Sequence, residues 1–446
     1  MSTHDHPTSA SIQTTASIRL GLIVLACLGG GAAIAAPVAN GASLSSALTE
    51  PAALASRAAF AGRQAALHVL GDHGTNSKVL ADGVFVGGFE ADPSCSIDSD
   101  GDDLPDCVET NTGVFVDITD TGTDPFVADT DGDALGDGDE VLGTFEGLDL
   151  PALGVSPLRR DLLIEYDWFD DALECSAHSH APDAATLARV AAVFAAAPVR
   201  NPDGSIGINL VQDAGQGGSL SGGNRVEGYS ANLPGAFDAT HAAIKQENLA
   251  SERRGYFHHV LMAHRYGDRS SSSGYAEVVG DDAIVSLYCI ATEDNVTRTI
   301  LHEVGHNLGL HHGGFEACNG KPNYNSVLNY RYQFTGLDDL CSGDGDNQTD
   351  GYSSGGRATI DERDLDEFEG VCGSPSIDWN RDGKLDIAVA HDLNPAHASS
   401  CVAGSLGTLS DFDDWANITL LGLRDDSGAL KSLQETVACG AQTPPG

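Results

Sequence analysis

Positive charge is scarce in this chain. Against 65 Asp and Glu there are only 23 Lys and Arg in 446 residues, a net charge of −42. That balance excludes a nucleic-acid-binding surface, which needs basic side chains against phosphates. Methionine is nearly absent as well, at Met1 and Met262 only. There is no Cys-x-x-Cys, which argues against a metal site built from cysteine pairs. Long apolar runs are missing too. The run Leu20–Leu28 is too short and too rich in glycine downstream to span a bilayer. With Arg19 before it and Ala33-Ile34-Ala35 behind it, residues 1–35 read as an export signal. The expected address is therefore secreted. Lipid anchoring through Cys27, in the imperfect lipobox Val24-Leu25-Ala26-Cys27, is the alternative.

Export implies an oxidising compartment, so the nine cysteines beyond Cys27 are expected in disulfides. Pairing of neighbours gives Cys95–Cys107, Cys318–Cys341 and Cys372–Cys401, with Cys175–Cys289 tying two distant segments and Cys439 left over. Hydrophobic residues make up 41 % of the chain, enough for a sizeable core.

Acidic residues are abundant, and they are spaced. Asp98-x-Asp100-x-Asp102-x-x-x-Asp106-x-x-Glu109 is followed by Asp129-x-Asp131-x-Asp133-x-x-x-Asp137-x-x-Glu140. Oxygens at positions 1, 3, 5, 9 and 12 are the ligand pattern of a calcium loop, and clustered carboxylates repel unless a cation sits among them. Position 6, usually glycine for a sharp turn, is Asp103 in the first and Ala134 in the second. A third loop has Asp378, Asn380, Asp382, Lys384 and Asp386 around Gly383. Val389 stands at its twelfth position, with Asp392 as the candidate replacement. Two or three structural Ca²⁺ ions are expected.

The chemistry concentrates at His302-Glu303-Val304-Gly305-His306-Asn307-Leu308-Gly309-Leu310-His311-His312. Val296, Ile300, Val304 and Leu308 recur every four residues, which predicts a helix with an apolar stripe. On that helix His302 and His306 share a face one turn apart. Such spacing suits two nitrogens about 2.0–2.1 Å from one zinc. Gly309 lets the helix stop and the chain turn back, bringing His312 in as third ligand. Three protein ligands leave a position open, the arrangement of a catalytic zinc, and Glu303 beside the first ligand is placed to be a general base.

This motif resembles that of the metzincin zinc endopeptidases. Downstream, Pro322-Asn323-Tyr324-Asn325-Ser326-Val327-Leu328-Asn329-Tyr330 is similar to the Met-turn of that family, with Leu328 in place of the methionine. With the acidic loops, which resemble thrombospondin type 3 repeats, the combination looks closest to bacterial pappalysin-like proteases. The resemblance implies an α+β catalytic domain, a twisted mixed sheet plus an active-site helix, preceded by a calcium-binding acidic segment. It implies one catalytic Zn²⁺ on His302, His306 and His312, and a role for Tyr330 at the transition state. It also makes 274–280 the edge strand that pairs with extended substrate. No cysteine-switch motif that would place a thiolate on the zinc is evident, so the sequence offers no support for latency.

The expected organisation is a signal at 1–35, a spacer or short pro-segment at 36–90 with a helix at Ala52–Leu70, acidic repeats at 91–150, a peptidase domain at 157–400 and an extension at 401–446. Within the peptidase domain, strands are expected at Asp161–Asp167, Ile206–Val211 and Phe257–His264, and a helix at Ala184–Ala197. The expected function is a secreted, monomeric zinc endopeptidase acting on protein or peptide. A calcium-dependent extracellular binding protein with a vestigial zinc site is the alternative.

Overall fold

Asp161–Trp168 is buried at seven of its eight positions, so both faces of this strand are covered. The computed structural model describes residues 93–268, 271–316, 318–346, 348–395 and 406–420, with strand segments at 78–79, 85–86 and 435–440. The export signal, the Ala52–Leu70 helix and Cys401 lie outside the described residues. All described residues belong to one compact unit, Ala59–Gly446.

The architecture is α+β around a mixed sheet. Its strands are β1 (Asp161–Trp168), β2 (Asn209–Asp213), β3 (His258–Met262), β4 (Ser272–Val278), β5 (Asp282–Val285) and β6 (Glu435–Gly440). The order across the sheet is β6-β4-β5-β3-β1-β2. Strands β2, β1, β3 and β5 run parallel, and β4 is antiparallel to both β5 and β6. One face carries helices α2 (Ala184–Ala195) and α4 (Glu293–Asn307). Val190 and Phe194 of α2 join Ile300, Leu301 and Val304 of α4, and Leu308 just after it, over Ile164, Tyr166 and Val260 in one buried cluster. Phe412 and Trp415 pack against the same cluster. Asp414 fastens that segment by accepting from Tyr324 Oη at 2.8 Å and from the Ser353 amide at 2.9 Å.

The acidic segment contributes α1 (Asp137–Leu142) and leans on the sheet. Leu135, Leu148 and Leu150 share a cluster with Leu163, Val211 and Phe257. Among the described residues no helix is long and apolar enough to cross a membrane.

A strand boundary and the disulfide pairing need correction, and one helix was not foreseen. The strand expected at Ile206–Val211 starts at Asn209, because Ile206 is exposed and Gly207 turns at φ +105°, where an added Cβ would strike Ala195 O. Helix α3 (Ala239–Asn248) was not foreseen. It buries only His241 and Ile244, too few apolar positions to show a period. Finally, Cys341 bonds to Cys372, with Cα atoms 5.7 Å apart, so neither the expected Cys318–Cys341 nor the expected Cys372–Cys401 bond forms. Cys318 lies beside Asn394, whose side-chain amide donates to Asn319 O, and it too is in a disulfide. Folding of the 331–345 loop thus overrides nearness in sequence. Cys95–Cys107 and Cys175–Cys289 are bonded as expected.

Candidate metal centre

Helix α4 begins where Thr292 accepts from the Asn295 amide, with Glu293 and Asp294 in its first turn. A hydroxyl cap and negative charge both suit a helix N-terminus. The helix runs to Asn307, and Gly309 then takes φ +94°. Left-handed backbone favours glycine, so the chain turns back here at little cost. The Leu310 amide donates to Gly305 O at 2.9 Å, and the turn delivers His312 beside the two helical histidines.

The three Nε2 atoms converge. His306 Nε2 lies 3.2 Å from His302 Nε2 and 3.2 Å from His312 Nε2. His302 Nδ1 donates to Val327 O at 2.7 Å, and His306 Nδ1 to Leu310 O at 2.6 Å. Those bonds place the ring proton on Nδ1 and leave the Nε2 lone pairs facing one another. Such a set is repulsive unless a cation sits in it, and carbonyl-anchored imidazoles are the usual support of a metal ligand. Burial pushes His302 down to about 4 and holds His306 well below the ordinary range, so both rings are neutral donors. The donor set therefore fits zinc.

Glu303 is fully buried against the same centre, and burial holds its carboxyl well above the ordinary range. Its Oε1 has no hydrogen-bond partner. Tyr330 opens the short helix α5 (Tyr330–Gln333), which Asn329 caps. Its ring stacks near His302 at 5.6 Å and lies 4.3 Å from His312, so it belongs to the site. Leu328 is fully buried under α4, since a Cβ added at Gly305, between the two helical histidines, would lie 2.7 Å from its Cδ2. It fills the space below the centre, and Val327 beside it supplies the carbonyl for His302.

Two residues here were missed by sequence reasoning. Gly274 on β4 faces Glu303 so closely that a Cβ would run into Oε1 and into Ile284 O. Cys439 on β6 is buried, its thiol donating to Glu303 Oε2 at 3.4 Å and lying 3.6 Å from His312 Nε2. His302, His306, His312 and Cys439 each bring a donor atom within 4.8 Å of the others. An unpaired cysteine was the only sequence signal. A related correction concerns β4, which is not the edge of the sheet: β6 covers it along Ser272–Val278.

The acidic loops close as their spacing predicts. At position 6 the backbone is left-handed in all three, with φ +80° at Asp103, +72° at Ala134 and +85° at Gly383. Position 1 accepts from that residue's amide each time, through Asp98, Asp129 and Asp378. Position 9 accepts from the residue after position 1, Asp106 from Ser99 and Asp137 from Thr130. Asp98, Asp100 and Asp102 bring oxygens within 4.8 Å of one another. Both oxygens of Asp100 and Glu140, and one each of Glu109 and Asp131, are buried without a hydrogen bond. Burial, with repulsion between neighbours, pushes Asp102 and Asp131 up to about 8 and Glu109 up to about 7. Orphaned buried carboxylates of this kind fit hard cations. The third loop differs, being largely exposed at Asp382, Lys384 and Asp386. Its added carboxylate is the buried Glu367, which accepts from the Trp379 and Asp386 amides, while Asp392 caps the Asn394 amide.

No protein-family model, curated protein or solved structure matches this chain.

Proposed function

We propose that this chain is a secreted zinc endopeptidase of metzincin type, stabilised by calcium. The observation that carries this reading is the convergence of three imidazole Nε2 atoms, two with their Nδ1 protons committed to carbonyls, next to a buried carboxyl without a partner on Oε1. Zinc held by His302, His306 and His312 would supply a Lewis acid that polarises a peptide carbonyl and acidifies water. Glu303 takes the proton of the attacking water and passes it to the leaving amine. The Tyr330 hydroxyl donates to the oxyanion of the tetrahedral intermediate. Gly274 leaves room on β4 for the Glu303 carboxyl, which sets that carboxyl against the strand. The acidic loops bind Ca²⁺ through Asp98, Asp100, Asp102 and Glu109, and through Asp129, Asp131, Asp133 and Glu140.

The test is casein hydrolysis by the purified chain and by Cys439→Ser, each with and without Glu303→Ala, a zinc chelator and zinc returned. Hydrolysis that needs zinc and Glu303 supports the reading. One zinc per centre with no hydrolysis in either background, calcium present, overturns it in favour of a binding protein.

A further inference from the structure

We propose that the C-terminal strand β6 is a built-in inhibitor of this centre, with Cys439 as the fourth metal ligand. The proposal rests on the zinc reading above. Two observations meet in it. The first is backbone register: β6 lies antiparallel on β4 with Tyr275 opposite Ala438, Ala276 opposite Val437 and Gly274 opposite Cys439. Gly274 is the residue whose missing side chain makes room for Glu303. The strand thus occupies the line along which an extended peptide would pair with β4. The second is the thiol itself, fully buried at the convergence of His302, His306 and His312 and beside Glu303 Oε2. The Ser272 hydroxyl also bonds Cys439 O and fixes the residue's position along β4. A thiol that coordinates zinc gives up its proton, and Glu303 stands next to it to take that proton. With sulfur at the open position and a strand on β4, water and substrate are both excluded. The sulfur on the metal is what pins the strand, so activation requires the thiol to be released, by its removal, by a reagent that captures it, or by cleavage ahead of residue 435.

Cobalt substitution of the intact chain tests this without depending on turnover. A thiolate ligand gives a near-ultraviolet sulfur-to-cobalt charge-transfer band, while the visible d–d bands that His302→Ala removes report cobalt bound at this centre with or without the thiolate. The expected result is both sets of bands in the parent and only the d–d bands in Cys439→Ser, with casein hydrolysis at least tenfold faster in that variant. Visible bands without charge transfer in the parent overturn the thiol ligand and leave the metal centre standing. No cobalt bands in either chain overturn the zinc reading itself.

A separate cluster carries a second inference. His264 is fully buried, and neither ring nitrogen has a hydrogen bond. Asp171 Oδ2 lies 3.3 Å from its Nδ1 and Glu174 Oε2 3.2 Å from its Nε2, both out of line for hydrogen bonds. His180 Nε2 is buried and equally unpartnered. His178, His180 and His264 bring nitrogens within 4.8 Å of one another. The hairpin Asp170–Asp171/His178–Ser179 and the Cys175–Cys289 bond hold the ligands together. We infer a structural site for a zinc-like divalent ion, which takes imidazole and carboxylate together. Native mass spectrometry after zinc loading should find two zinc ions per parent chain, one in His180→Gln and one in His302→Ala. One zinc in the parent, unchanged by His180→Gln, overturns the site.

Discussion

Glu303 sits in full burial with Oε1 unpartnered and Gly274 against it, so its replacement tests chemistry and packing separately. Glu303→Gln keeps the shape and removes the proton transfer. In the Cys439→Ser background, hydrolysis is expected to fall roughly 10²–10⁴-fold, the usual worth of a general base, with zinc content unchanged. Gly274→Ala does the reverse, forcing a methyl into Glu303 and Ile284 O. Overpacking of this kind costs about 1–3 kcal/mol, and thermal melts of Gly274→Ala should show the loss. Leu328→Met is the mild control. The side chain is fully buried beneath Gly305, and a swap that conserves volume costs under about 1.5 kcal/mol. Its hydrolysis rate should stay within a few-fold of the parent. The histidines and Glu303 were legible because their chemistry fixes their spacing within one turn of helix and one loop. Gly274 and Cys439 were not, because the first is recognised by what it leaves empty and the second arrives from 127 residues beyond His312.

At the scale of elements, strand register brings charge into the interior. His259 on β3 lies opposite Glu165 of β1 on one side and Asp282 of β5 on the other. Its Nε2 bonds Asp167 at 2.9 Å and its Nδ1 is 3.5 Å from Asp282, while Lys245 also reaches Asp282 at 2.8 Å. Burial lowers the ring's proton affinity, but Asp167 and Asp282 overcome it and push His259 up to about 9. A folded value above the unfolded value of about 6.5 means stability that is full below pH 6.5 and lost as pH rises through about 9. The unfolding midpoint of the parent should therefore exceed that of His259→Gln most at about pH 6 and converge with it toward pH 10. A gap that does not narrow would show that the ring's packing matters and its charge does not. The sequence announced β1 and α4 because Leu162-Leu163-Ile164 and a four-residue stripe need no partner to be seen. It hid this network, since Asp167, His259 and Asp282 are unremarkable apart and acquire meaning only through strand order. Helix α3 stayed hidden for the same reason, its two buried side chains being too sparse for a period.

Across the whole molecule, the acidic excess is distributed so that the first two acidic loops are joined to each other and to the sheet. The Gly138 amide donates to Asp102 Oδ2, and a Cβ at Gly138 would collide with Asp102 O, so the first two loops touch backbone to backbone. The Asp161 amide, at the start of β1, donates to Asp133 Oδ2. Leu135 packs on Leu163 and Phe257 in the cluster behind β1 and β3. A cation in the second loop would therefore brace the strand at the centre of the sheet. The third loop has no such connection to the sheet and is largely exposed. Calcium at a hundredfold excess over its dissociation constant stabilises a fold by about 2.7 kcal/mol per site. Chelation of calcium should lower the thermal midpoint of the parent clearly. Asp131→Asn should reproduce much of that loss and blunt the response to calcium, whereas Asp382→Asn should leave the midpoint close to that of the parent. A parent whose melt ignores calcium, or an Asp382→Asn chain that suffers as much as Asp131→Asn, would mean that the acidic loops do not couple to the sheet through bound cations.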